Sequence, residues 1–156
     1  MQLVTRLVTE GDLPVFVELY SSYREALVNE RGGAVHLLKE AFAEPLETQF
    51  TAMLHDSESL LLFGLLEEVP VGVAVARLEE TSDSSLQATI EVLFVDPPAR
   101  EVGVGEKLVE AVVDWARRRG ATGLDVWVLP GVREAKNFLE GSGFVARLLV
   151  MHRQLG

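Results

Sequence analysis

The sequence predicts an α+β fold, a central sheet with helices packed against it, and three observations carry that prediction. Residues 59–67, 71–79 and 86–95 read as consecutive strands separated by short polar turns, which favours an antiparallel meander. Ahead of them, residues 13–55 place apolar side chains at helical spacing. After them, the run Ile90–Val95 is followed by a proline stop, a glycine-rich bend and an amphipathic helix.

Taken in order, Leu3 to Val8 alternates loosely and reads as an edge-side strand. Asp12 is a fair N-cap, and Pro14 is tolerated in the first turn of a helix over 13–29 that carries Val15, Phe16, Leu19, Tyr23, Ala26 and Leu27 on its apolar positions. Arg31-Gly32-Gly33 ends that helix. A second helix, over about 35–55, carries Leu37, Leu38, Phe42, Leu46, Phe50 and Leu54, with Pro45 placed to bend or split it. Glu68-Val69-Pro70 joins the first two strands of the meander, and Thr81 to Ser85 leads into the third. The helix after the glycines presents Leu108, Val112 and Trp115 on adjacent turns, flanked by Val109, Val113 and Ala116, and Arg117-Arg118-Arg119-Gly120 closes it with cations at the negative end of its dipole. A strand over 123–129, a helix over 132–141 and a last strand over 144–154 complete the chain. Neither a repeat nor a domain linker interrupts it, so 156 residues are read as one domain spanning 1–156.

Composition narrows the function. The net charge of −10 repels nucleic acid, and no basic stripe with interleaved aromatics offsets it. The same field can draw a cationic amine toward the surface. The absence of cysteine excludes disulfides, thiolate metal sites and a cysteine acyl-enzyme, and it suits a reducing compartment, the cytoplasm by default. The first residues lack the layout of a signal peptide, and no apolar run suggests a membrane span. His36, His55 and His152 lie far apart and show no ligand spacing, so they are read as surface or packing residues and no metal is expected. Trp115 and Trp127 are read as core packing.

The chemistry concentrates in residues 90–106. Asp96-Pro97-Pro98 stops the strand, and Arg100-x-x-Gly103-x-Gly105 opens the helix. Glycines there let the backbone bend and leave its N–H groups uncovered at the positive end of the helix dipole, a seat for an anion such as a phosphate. A dinucleotide fingerprint is excluded because Leu108 occupies the third glycine position, and a P-loop because its Gly-Lys-Ser/Thr is missing. Within the strand, Glu91 stands between Ile90 and Val92, and period two places it opposite their face, either toward a cleft or in a solvated, salt-bridged position.

Val95-Asp96-Pro97 followed by Arg100-x-x-Gly103-x-Gly105, together with Ala135-x-x-Phe138-Leu139-Glu140-x-x-Gly143-Phe144, resembles the GNAT acetyltransferase superfamily in order and spacing along the whole chain. The resemblance implies the GNAT fold: a mixed, mostly antiparallel central sheet with helices on both faces, and strands 86–95 and 123–129 running parallel and splaying apart. It implies acetyl-coenzyme A (acetyl-CoA) as co-substrate, with pantetheine in the gap beside Leu93, Phe94 and Val95. Arg100 and the backbone N–H groups of Glu101, Val102, Gly103, Val104, Gly105 and Glu106 would hold the pyrophosphate, and Phe138 would close the site. Glu91 is the implied catalytic base, and a backbone N–H near Phe94 or Val95 would polarise the thioester carbonyl. The acceptor pocket is implied to lie between the two N-terminal helices, and homodimerisation is frequent in the family.

The sequence also departs from the pattern. Glu101 and Val102 stand where basic residues are usual, Leu139 where a tyrosine often protonates the departing thiolate, and Val132 where an asparagine is common. A thiol pKa near ~8.5 makes thiolate a tolerable leaving group without that acid. Asp125 is a second candidate acid. Two functions follow. The first is an acetyl-CoA-dependent N-acetyltransferase acting on a small cationic amine or a peptide amine in a ternary complex, with transfer to a hydroxyl or of a longer acyl chain left open. The second is a non-catalytic GNAT-like domain that binds coenzyme A or a protein partner in a regulatory role.

Overall fold

A computed structural model describes residues 1–156. The five-stranded sheet has the order β1-β2-β3-β4-β5: β1 (Leu3–Leu7), β2 (Ser59–Leu66), β3 (Val69–Glu80), β4 (Leu86–Val95) and β5 (Ala121–Val126). The first four strands pair antiparallel with their neighbours, and β5 runs parallel to β4. One face carries α1 (Leu13–Leu27) and α3 (Leu46–Leu54), and the short α2 (Gly33–Lys39) lies between them in the chain. The other face carries α4 (Val104–Arg118), while α5 (Arg133–Gly141) follows β5. The mixed sheet with helices on both faces is the fold class expected.

Alternation along the strands sorts the core into two layers. Leu61, Phe63, Leu65, Val73 and Val75 meet Phe16, Tyr20 and Phe50 of α1 and α3. Phe16 and Phe50 meet edge-to-face at 4.9 Å between ring centroids. Leu60, Leu62, Ala74 and Ala76 meet Val104, Leu108 and Val112 of α4. Two strand glycines bring α4 close to the sheet: a Cβ on Gly64 would lie 2.6 Å from Val104 Cγ1, and one on Gly72 3.1 Å from the same atom. That approach sets the height of the α4 N-terminus above the sheet.

Three expectations are corrected. The β2–β3 turn is Glu67-Glu68, both with positive φ (49° and 68°), so Val69 and Pro70 belong to β3. Pro70 is tolerated there because it faces Leu65, where a register shift already interrupts the ladder. The strand expected over 123–129 runs from Ala121 to Val126 instead. The strand expected over 144–154 is absent: its apolar pattern suits a strand, yet beyond the Phe144 N–H bond to Leu139 O the segment forms no backbone hydrogen bond, and without a ladder there is no strand. The helix expected over 35–55, with Pro45 to bend or split it, is split: α2 ends at Lys39 and α3 begins at Leu46, just after Pro45. No helix is long and apolar enough to cross a membrane.

Candidate active site

The site begins at an irregularity in β4. Val92 pairs with Val75 and Ile90 with Ala76, which leaves Glu91 as an unpaired extra residue in a β-bulge. The bulge reverses the alternation: Ile90 packs in the α4 layer, whereas Val92 and Phe94 pack in the α1 layer. The period-two expectation for Glu91, which put Ile90 and Val92 on one face, therefore fails at this residue. It fails because the alternation holds only while the ladder is regular.

The same bulge parts β4 from β5. Their parallel pairing ends at Ile90 and Val126, and the last bond is from Trp127 N–H to Ile90 O at 3.2 Å. Residues 91–95 continue with no partner on that side. Asp96 N–H donates to Val71 O at 2.8 Å, so alternation turns the backbone groups of Val95 and Leu93 away from β3 and toward the gap. Arg100 Nε occupies the Val95 carbonyl at 2.8 Å, and its guanidinium lies over the Phe94 ring at 5.7 Å. The N–H groups of Leu93 and Val95 are thereby left facing an open cleft.

That cleft has a volume of about 630 Å³. Its walls include Leu93, Phe94 and Val95 of β4, Val126 to Leu129 past the end of β5, and Phe138 and Leu139 of α5. Residues 99–106 close one end, and Tyr23, Leu27, Glu30 and His36 close the other. At the closed end the chain turns through Glu101 (φ 68°) and Gly103 (φ 99°) into α4. A side chain at Gly103 is strained by that φ, and Glu101 sits in a region that non-glycine residues enter at a cost. Helical bonding starts only with Lys107 N–H to Gly103 O at 3.1 Å. None of the six N–H groups of residues 101–106 has an acceptor within the chain. Six free donors in sequence, at the positive end of a helix, fit a pyrophosphate.

The expected site residues separate into two groups. Leu93, Phe94, Val95, Arg100, Glu101, Gly103, Val104, Gly105, Glu106 and Phe138 all line the cleft, and Val102 lies within the same turn, packed toward the α4 layer. Glu91 does not line it. Its carboxylate is held at both oxygens by Arg77, through Nε and through Nη2 at 2.9 Å to Oε2, and its side chain is 10% exposed. Arg77 in turn lies over the Phe42 ring at 5.3 Å, on the α1 face. The hydrogen bond to Glu91 holds the guanidinium pKa above its ordinary value. Asp125 is also outside the cleft walls, paired with Arg147, whose hydrogen bonds hold its carboxyl below the usual range.

Sequence reasoning missed the opposite wall. Trp127, read as core packing, is 42% exposed and lines the cleft, with its indole perpendicular to the His36 ring at 5.9 Å. His36 and Glu30 line the cleft as well, and neither makes an ion pair. His55 pairs with Glu10 at 2.6 Å, remote from the cleft. The position of Trp127 at the end of a strand that splays from its neighbour is the one signal that pointed to it.

Over residues 16–144 the sequence matches the Acetyltransferase (GNAT) family. The chain belongs to that family. No curated protein matches it in sequence. Solved structures agree on the fold. A tetramutant of the BH1408 protein from Bacillus halodurans superposes with a TM-score of 0.83 at 21% identity, covering 97% of this chain and 99% of that one. An aminoglycoside acetyltransferase from an uncultured soil metagenomic sample, solved with sisomicin, has a TM-score of 0.74 at 23% identity over 99% and 95% of the two chains. A ribosomal-protein-alanine N-acetyltransferase from Brucella melitensis biovar Abortus 2308 has a TM-score of 0.74 at 15% identity, covering 99% of this chain and all (100%) of that one. At these identities the likeness is one of GNAT fold.

Proposed function

We propose that this GNAT protein is an acetyl-CoA-dependent N-acetyltransferase whose acceptor is a cationic amine on a small molecule or a peptide. The observation that carries it is the run of six unaccepted N–H groups at residues 101–106, opening onto a cleft between parted strands. When bound, acetyl-CoA supplies the acyl group as a thioester. The 101–106 turn would hold its pyrophosphate, with Arg100 beside it, and the edge of Leu93 to Val95 would hold the pantetheine through the free N–H groups. One of those N–H groups also serves as the donor to the thioester carbonyl. Carboxylates at Glu30 and Glu134 line the cleft without basic partners, which suits an acceptor that arrives as an ammonium. Glu91 is the base of this reading: its carboxylate can accept a proton that a water relays from the cleft. Transfer is direct, with acceptor and thioester held together. The absence of cysteine in the chain is compatible with work in the cytoplasm.

Binding is tested first. A ligand that binds only the folded state at a hundred times its Kd stabilises by about 2.7 kcal/mol, a rise in Tm of roughly 5–10 °C for a chain of this size. Acetyl-CoA is expected to give that shift and an amine panel to release free coenzyme A. A shift without turnover would favour the regulatory, non-catalytic reading instead. No shift at millimolar acetyl-CoA would end the enzyme reading and leave the regulatory one only its protein partner.

The reading includes a homodimer. The outer edge of β5 has no neighbour, and the segment after α5 exposes Val145 (83%), Leu148 (73%), Val150 (80%) and Met151 (83%). Each copy therefore offers both a free edge and an unpaired apolar segment, and two copies can satisfy each other reciprocally about a two-fold axis. Light scattering is expected to return twice the 17.1 kDa chain mass, and a single chain's mass at micromolar concentration would remove this part of the reading.

A further inference from the structure

Two tyrosines of α1 stand side by side, their rings 5.7 Å apart, and they are used differently. Tyr20 is fully buried, and its hydroxyl accepts the Phe42 N–H at 3.1 Å, which fixes the chain between α2 and α3. Tyr23 is 8% exposed and packs its ring edge-on against Phe94 of β4, with centroids 6.1 Å apart. No hydrogen bond in the chain involves its hydroxyl. Since no buried side-chain oxygen is left without a partner, the Tyr23 oxygen is open, and the space it opens to is the cleft that Tyr23 lines. Among the residues that line this cleft, Tyr23 is the sole one bearing a hydroxyl.

Phenylalanine would supply the same packing, so the hydroxyl, open to the cleft and unpaired within the chain, adds nothing to the fold. The polar atom is thus explained by something that enters the cleft. We propose that Tyr23 is a substrate-binding residue whose hydroxyl donates a hydrogen bond to the carbonyl oxygen of the bound thioester. This rests on reading the cleft as the acetyl-CoA seat.

The chemistry selects among the partners available. An ammonium acceptor has only donors to offer, so it cannot take the O–H. A neutral amine needs its lone pair for the attack. Thioester sulfur is a weak acceptor, whereas the carbonyl oxygen is a good one and gains negative charge as the amine adds. Burial, together with the charges of Tyr20 and Glu91 nearby, pushes the Tyr23 phenol above its ordinary pKa. The group therefore stays protonated throughout the working range and acts as a donor, not as an acid that gives its proton away. The wall opposite carries Leu139 and Val132, which bring no donor of their own.

Titration calorimetry with acetyl-CoA and with its S-ethyl thioether analogue, which lacks the carbonyl, tests this without turnover. The wild type is expected to prefer acetyl-CoA to the thioether through two hydrogen bonds to the carbonyl, one from the backbone and one from Tyr23. In Tyr23→Phe that preference should shrink roughly five-fold, the worth of one hydrogen bond, with the thioether's affinity unchanged. Because the hydroxyl has no partner in the chain, Tyr23→Phe should melt with the wild type, and amine acetylation should fall with it. A wild type that does not distinguish the two ligands, or a Tyr23→Phe protein that keeps the whole wild-type preference, would overturn the proposal while leaving the coenzyme seat intact. Binding of neither ligand to the wild type would overturn the seat itself.

Discussion

Glu91→Gln is expected to lower amine acetylation by about 100-fold or more, the contribution typical of a positioned general base. The rise in Tm with acetyl-CoA should be retained, because Glu91 lies outside the walls of the cleft proposed for the coenzyme. The substitution is close in shape, so the bulge at Glu91 and the ladder on either side of it survive. One of the two bonds from Arg77 survives too, since the amide oxygen accepts, while the amide nitrogen faces a donor it cannot satisfy. Some stability is therefore lost as well, on the order of 1 kcal/mol. The two effects separate cleanly: turnover per folded molecule reports the base, and the melting curve reports the ion pair. Turnover equal to that of the wild type would leave Glu91 as a structural partner of Arg77, which secures the bulge on the α1 face. The base would then have to be sought among the groups that line the cleft, His36 and Glu30 first.

The sequence and the structure agree wherever a local rule decides the outcome. The meander, the α1 stripe and the α4 stripe follow from periodicity, and the bend at 100–106 into α4 follows from proline and glycine at fixed spacing. They part where one residue breaks a period. Extrapolating alternation through Glu91 gives the wrong face for Ile90 relative to Val92, because nothing in the letters announces an extra residue in the ladder. The same blind spot hides Arg77, fourteen residues upstream, as the partner that occupies the carboxylate. Residues 144–154 show the opposite error. Their apolar letters satisfy a strand pattern, but a strand also needs an edge to pair with, and that requirement is tertiary. The end of the cleft away from α4 was illegible for a related reason. Tyr23, Leu27, Glu30, His36 and Trp127 come from four separate segments, and each one alone reads as packing or surface.

Gly105→Leu is expected to abolish acetyl-CoA binding while leaving the fold in place, and the geometry explains both halves. Gly105 lies in the first turn of α4, with no positive φ, so a side chain costs little in backbone strain and leucine favours the helix over glycine. A Cβ there meets Phe138 Cζ at 3.5 Å and Val95 Cγ2 at 3.9 Å, ordinary contact distances. The added carbons beyond Cβ extend from there into the cleft that Gly105, Val95 and Phe138 line. They would occupy the proposed coenzyme seat and crowd N–H groups that have no other acceptor. Loss of those donors together with a steric block should weaken binding by at least about 100-fold, near 2.7 kcal/mol, enough to cut the thermal shift at a hundred times the wild-type Kd to roughly 1–2 °C or less. The melting temperature without ligand should stay within a few degrees of the wild type. Gly103→Leu makes the contrasting control: φ at 99° penalises any side chain, and a Cβ would stand 3.3 Å from Leu3 Cδ1, so that variant loses stability as well as binding. If Gly105→Leu still shows the full acetyl-CoA shift, the pyrophosphate is not held at the entrance to α4, and the cleft beside Leu93 to Val95 serves some other ligand.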